Sequence, residues 1–202
     1  MNREPIIFVV DDDAAMRDSL RWLIESVGLS VRNYASAEDF LLDYREQPGC
    51  LVLDVRMPRM SGQELQKRLA SQGVVLPVIF ITAHGDVAMA VRAMKAGAFD
   101  FIEKPFNDQI LLDRIQRAVT QDADLRRRHT QQACTLVHLA SLTQRECEVL
   151  DRVVAGKSNK EIATDLTLSC KTVEHHRSKI MRKMQAESLA DLLQMVLLVR
   201  NP

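Results

Sequence analysis

No apolar run in the 202 residues approaches the ~20 that a membrane-crossing helix needs. The start MNREPIIFVV has neither a basic stretch leading into a long apolar core nor a small-residue cleavage pattern. A cytoplasmic protein with no membrane partner is therefore expected. Cysteine is sparse: Cys50, Cys134, Cys147 and Cys170 lie far apart, with no CxxC or Cys/His spacing, which argues against a disulfide framework or a zinc site. Net charge is also missing, since 27 basic residues meet 27 acidic ones. That balance conceals an asymmetry: residues 1–120 carry 14 basic against 17 acidic side chains, residues 121–202 carry 13 against 10, and residues 156–183 alone carry seven against three. Local basicity of this kind suits a polyanionic partner for the second half. What is present, 47% hydrophobic and 27% charged residues, is enough for one sizeable core or two modest ones and excludes a disordered or collagen-like chain.

Up to about residue 119, short β-rich runs alternate with amphipathic ones. IIFVV (6–10), SVRNY (30–34), CLVLDV (50–55), VIFIT (78–82) and FDFIE (99–103) read as strands. Helical patterns fall at about 14–27, 37–46, 63–71, 87–96 and 107–119, with Gly28, Gly73 and Gly97 where helices should end and Ser36 with Asp39 as an approximate capping box. Five βα units in one run predict a doubly wound, flavodoxin-like α/β domain with a parallel sheet. Residues 121–140 contain no glycine or proline and read as a helical linker. Helices at about 143–155, 159–166, 170–184 and 188–199 then predict an independent all-α domain over 141–202. The first domain is placed at 1–120.

Ligands of open parallel sheets bind at the carboxyl ends of the strands, where the strand order reverses. Asp11, Asp12 and Asp13 follow the first strand, Asp54 comes at the end of the third, Thr82 ends the fourth and Lys104 follows the fifth. Asp13 suits the N-cap of the first helix. Clustered carboxylates raise one another's pKa unless a cation neutralises them, and Mg²⁺ commonly takes one or two carboxylates plus a backbone carbonyl and waters. Asp12, Asp54 and the Arg56 carbonyl make such a partial set. A carboxylate beside the metal can attack a phosphoryl group, with Lys104 and the Thr82 hydroxyl placed to stabilise the developing charge.

VVDDD, LVLDVRMPRMSG, VIFITAHGD and AVRAMKAGAFDFIEKPF together resemble the receiver domain of bacterial two-component response regulators of the FixJ type, over about residues 5–119. The resemblance implies that Asp54 accepts phosphate from a sensor histidine kinase and that Asp11 and Asp12 hold Mg²⁺. It implies that Thr82 and Lys104 respond to the phosphoryl group, that Phe101 is the switch aromatic, and that the Lys104–Pro105 bond is cis. The face built from 87–96 and 99–103, with Val91 and Lys95, is then a contact surface for a second receiver.

The second domain has helix–turn–helix arithmetic: a short helix 159–166, the turn TLS with Ser169 as N-cap, and a longer helix 170–184. Val173, Ile180 and Met184 are spaced for burial, leaving Glu174, His175, Arg177 and Ser178 facing out where a recognition helix meets base edges. Lys160, Lys171, Thr172, Arg177 and Lys179 can contact phosphates. His175 and His176 are adjacent, which disfavours a metal pair. LTxRExEVL, GKSNKEIA and KTVEHHRSKIMRKM resemble the LuxR-type DNA-binding domain over about 141–200. Glu174 departs from relatives with a basic residue there; it can accept from cytosine N4 or pair with a neighbouring lysine. The final helix is more apolar than one core face requires, and Leu189, Leu193 and Val196 are expected to form a dimer surface, with core packing as the competing role.

The resulting expectation is a phosphorylation-activated transcription factor, not an enzyme, that dimerises, binds double-stranded operator DNA and works with RNA polymerase, as an activator. The enzyme alternative is a Mg²⁺-dependent phosphohydrolase of the haloacid-dehalogenase type, suggested by Asp11-x-Asp13. A phosphate-independent DNA-binding regulator is the third reading.

Overall fold

The computed structural model describes residues 4–83 and 86–200, and His84 and Gly85 of the VIFITAHGD motif lie outside the described residues. The elements run β1 (Ile6–Val10), α1 (Ala14–Glu25), β2 (Ser30–Tyr34), α2 (Ala37–Asp43), β3 (Gly49–Asp54), α3 (Gly62–Ser71), β4 (Val78–Thr82), α4 (Val87–Lys95), β5 (Asp100–Glu103) and α5 (Asp108–Ala140). Then come α6 (Gln144–Val154), α7 (Asn159–Leu166), α8 (Cys170–Met184) and α9 (Leu189–Arg200). The chain divides into compact units Met1–Arg126 and Arg127–Pro202, a boundary that falls inside α5.

In the first unit all strands pair in parallel, in the order β2-β1-β3-β4-β5. The order reverses between β1 and β3, which opens a crevice above their carboxyl ends. β3 and β4 are buried on both faces, as expected of central strands under helices. Alternate residues feed two cores: Leu51, Leu53 and Phe80 on one face with Phe8 and Phe40, and Cys50, Val52, Ile79 and Ile81 on the other with Leu20, Leu111 and Ile115. Each fully buried Phe or Leu of this kind contributes about 1.5–3 kcal/mol.

Local signals set the helix starts. Asp13 caps α1 by accepting from the Ala15 and Met16 amides, Ser36 caps α2, and Ser61 with Glu64 closes a capping box on α3. α2 ends at Asp43, three residues before the sequence pattern suggests, because Tyr44 turns extended (φ −59°, ψ 123°). The read helix 107–119 and the read linker 121–140 are parts of one helix, α5. Its Asp122, 1% exposed, accepts from the Gly49 amide at 2.9 Å and from Arg126 Nε at 2.8 Å, while Arg126 Nη2 donates to the Gln47 carbonyl at 2.9 Å. This ties the helix to the start of β3. Gly49 has φ +146°, and a Cβ there would sit 1.8 Å from the Ile6 carbonyl oxygen, so only glycine fits.

The second unit packs Val149, Leu150, Ile162, Val173, Ile180, Met184, Leu192 and Val196 into one core. Capping boxes at Thr143/Glu146 and Ser158/Glu161 start α6 and α7, and Ser169 caps α8. Left-handed residues Thr167 and Gln185 end α7 and α8. Among the described residues no helix is long and apolar enough to cross a membrane.

Candidate functional site

The crevice of the first unit gathers its polar groups by topology alone: Asp11 lies just past β1, Asp54 is the last residue of β3, Thr82 the last of β4, and Lys104 the first past β5. Asp11, Asp54 and Thr82 are buried, at 1%, 7% and 1% exposure. Lys104 Nζ donates to Asp11 Oδ2 and to Asp54 Oδ1, each at 2.8 Å, and so bridges the two carboxylates. The second oxygen of each is also engaged. Asp11 Oδ1 accepts the Asp13 amide at 2.9 Å, and Asp54 Oδ2 accepts the Arg56 amide at 2.7 Å. The Lys104–Pro105 bond is cis.

Burial pushes the Asp54 carboxyl up, and the neighbouring Asp11 charge pushes the same way; Lys104 and the Arg56 amide oppose them without prevailing. Burial pulls Lys104 down, but its bonds to Asp11 and Asp54 more than offset this and leave it raised. The outcome is two carboxylates sharing one firmly charged ammonium, a centre with negative charge to spare.

Asp12 is exposed beside this constellation and does not join the Lys104 bridge. Among the described residues no group of three His, Cys, Asp or Glu side chains forms a ready metal cage. Arg56 contributes its amide to Asp54, a role that the sequence reading, which singled out its carbonyl, does not contain. Phe101 is half-buried against the core, its ring centroid 6.3 Å from that of Phe80. Val91 and Lys95 are exposed on α4.

Two residues support the site without a motif to announce them. Arg17 Nη1 donates to the Asp11 carbonyl at 2.7 Å, and Asn33 Nδ2 to the Arg17 carbonyl at 3.1 Å, linking β2 and α1 to the end of β1. Gly62, the first residue of α3, lets that helix approach so closely that a Cβ would lie 2.3 Å from the Asp54 carbonyl oxygen. The Pro-x-x-Ser-Gly turn after Asp54 was the available signal for that contact.

In the second unit, α8 follows α7 across the turn at 167–169, as the spacing predicts. Lys171, Glu174, His175 and Ser178 are exposed along its first half, and Lys160 is exposed on α7. Thr172 Oγ1 lies 2.8 Å from Ser169 Oγ, Lys179 is half-buried, and so is His176. Arg177 departs from the outward role expected of it: it is half-buried, and its Nη1 donates to Asn159 Oδ1 at 2.8 Å, because α7 passes close to that face. Val196 is a further correction. At 0% exposure it belongs to the core, so the apolar surface of α9 is carried by Leu189 and Leu197, both exposed, with Leu193 half-buried between them. A helix apolar nearly all round gives the periodicity no way to choose its inner face.

The comparisons with known proteins follow the same division. Residues 7–116 match the family "Response regulator receiver domain", and residues 140–196 match "Bacterial regulatory proteins, luxR family". The chain belongs to the two-component response regulators. It is 47% identical to the transcriptional regulatory protein TdiR of Thauera aromatica, over 95% of this chain and 85% of that one. It is 45% identical to the transcriptional regulatory protein FixJ of Azorhizobium caulinodans, over 95% and 92%. The solved structure of the response regulator StyR superimposes with TM-score 0.84 at 46% identity, covering 96% of this chain and 98% of that one. This response regulator thus joins a receiver to a LuxR-type DNA-binding domain of transcription regulators, and it is not an enzyme; the phosphohydrolase alternative is set aside.

Proposed function

We propose that the receiver takes a phosphoryl group onto Asp54 from a phosphohistidine of a sensor histidine kinase. The phosphorus–nitrogen bond breaks as an Asp54 oxygen–phosphorus bond forms, and the departing imidazole nitrogen keeps the electron pair and is protonated from solvent. The observation that carries this reading is the Lys104 ammonium 2.8 Å from both Asp54 and Asp11. Lys104 is already in place to offset the roughly 1.5–2 negative charges that a phosphoryl group adds.

The donor set also fits Mg²⁺. Two buried carboxylates share one cation, a third carboxylate lies exposed beside them, and all are hard oxygen donors. An ion that keeps most of its waters needs no more than this partial set. Asp11, Asp12, Asp54 and the Arg56 carbonyl would hold it, and when bound it neutralises charge on the phosphoryl oxygens.

In the phosphorylated state the Thr82 hydroxyl turns to the phosphoryl oxygens and the Phe101 ring fills the space beside it. Dimerisation then proceeds through the exposed α4 face with Val91 and Lys95 and through Leu189, Leu193 and Leu197 of α9. A two-fold dimer sets its recognition helices about one DNA turn apart, roughly 34–36 Å, on double-stranded operator DNA. Lys160, Lys171, Thr172 and Lys179 contact phosphates, and the regulator works in the cytoplasm as an activator with RNA polymerase.

The test is to treat wild type and Asp54→Asn with a small-molecule phosphodonor and follow intact mass, oligomeric state and DNA binding. Wild type is expected to gain one phosphate, dimerise and bind more tightly, and Asp54→Asn to do none of these. A wild type that takes up no phosphate overturns the reading. Operator binding in Asp54→Ala equal to that of phosphorylated wild type would instead establish a phosphate-independent regulator.

A further inference from the structure

Glu174 stands alone on the recognition helix. It is exposed, and among the described residues its side chain makes no ion pair or hydrogen bond, although Lys171 lies one turn before it and Ser178 one turn after. The lysine pairing that the sequence left open is absent. Arg177, three residues after Glu174 as Lys171 is three before it, is held by Asn159 of α7. The exposed first half of the helix therefore presents Lys171, Glu174, His175 and Ser178, with an acidic group between its cation and its hydroxyl.

An unpaired carboxylate brought against a polyanion loses affinity unless a donor receives it. The major-groove edges differ sharply in what they offer. Guanine presents two acceptors, thymine an acceptor and a methyl, adenine a donor next to an acceptor, and cytosine an amino donor. A carboxylate is repelled by the first two, compromised by the third and satisfied by the fourth.

We infer that Glu174 is a specificity-determining residue that selects cytosine by accepting from its N4 amino group. Arg177 is a positioning residue that fixes α8 against α7 and reads no base. This rests on the reading that α8 enters the major groove, and it names which base that site requires.

The experiment is selection from a randomised double-stranded DNA library with the full-length protein after phosphodonor treatment, using wild type, Glu174→Gln, Glu174→Ala and Arg177→Lys. The wild-type motif is expected to hold cytosine at one position per half-site, preferred by between about fivefold and 150-fold. Glu174→Gln should shift that position to adenine, since an amide both accepts and donates, and Glu174→Ala should flatten it while neighbouring positions persist. Arg177→Lys should weaken all sites evenly. An unchanged motif in Glu174→Gln overturns the inference and leaves DNA binding intact. A changed base preference in Arg177→Lys overturns the positioning role. A wild-type protein that enriches no motif removes both this inference and the DNA-binding function on which it rests.

Discussion

Asp54 of the receiver and Glu146 of the DNA-binding domain are both buried carboxylates, 7% and 3% exposed, and each accepts a hydrogen bond from a lysine. Their acidities nevertheless move in opposite directions. Glu146 receives Lys183 Nζ at 2.6 Å and the Thr143 amide at 2.8 Å, with no other carboxylate competing, and its pKa falls to about 2. Asp54 must share Lys104 with Asp11, and burial leaves its pKa raised. Burial outweighs the shared lysine at Asp54, with the Asp11 charge adding to it, whereas at Glu146 the undivided lysine outweighs burial. A saturated carboxylate serves as a rivet between α6 and α8, whereas an under-compensated one is a centre ready to receive a positive partner or to give up its charge in a new bond.

Another buried carboxylate, Asp122, gives the largest expected effect. Asp122 has one guanidinium and one amide to itself, so it belongs with Glu146 as a structural group. Asp122→Ala should destabilise the receiver by about 3 kcal/mol, because the Gly49 amide and Arg126 lose their acceptor in a buried place. The midpoint of the receiver's urea transition measures it, and a shift within error would remove Asp122 from the rivet class.

Glu146→Gln should cost the DNA-binding domain about 1–2 kcal/mol at neutral pH, since a charge-assisted pair becomes a neutral one. The folded pKa lies below the ordinary 4.5, so the charged form contributes stability above that value and loses it as pH falls towards about 2. Thermal midpoints of wild type and Glu146→Gln should therefore converge over that window. A gap that stays constant from pH 7 to pH 2 would show that ionisation of Glu146 is not its source.

The smallest effect sharpens the contrast from the other side. Asp11→Asn leaves Asp54 alone with Lys104 and removes the neighbouring charge that raises it. The Asp54 carboxyl, followed by NMR titration, should then titrate lower than in wild type. An unchanged or higher pKa would mean that burial alone governs it.

The strand ends that build the crevice were legible because four of the five strand runs finish on or just before a polar residue, and a parallel sheet necessarily collects those ends. β2, β4, α7 and α8 have the bounds that the patterns predict, and Asp13 and Ser169 cap as read. Contacts between residues far apart in sequence left no such trace. Neither Asp122 with Gly49 nor Arg177 with Asn159 has a spacing rule to reveal it. Val196 was misassigned for a related reason, since burial on a uniformly apolar helix is decided by its neighbours. Arg56 adds a contact that its name does not announce, its amide donating to Asp54.

β3 is held at both ends. Its first residue is pinned by Asp122 and pressed against Ile6, and its last lies under the start of α3 at Gly62. The six-residue strand serves as a gauge block, whose length sets where the Asp54 carboxylate stands relative to Lys104. One residue more or fewer would rotate Asp54 to the opposite face of the sheet while both ends stayed clamped. The proposed phosphoryl charge on Asp54 would therefore meet a strand clamped against sliding along its own axis, leaving the loops that border the crevice as the parts free to answer it.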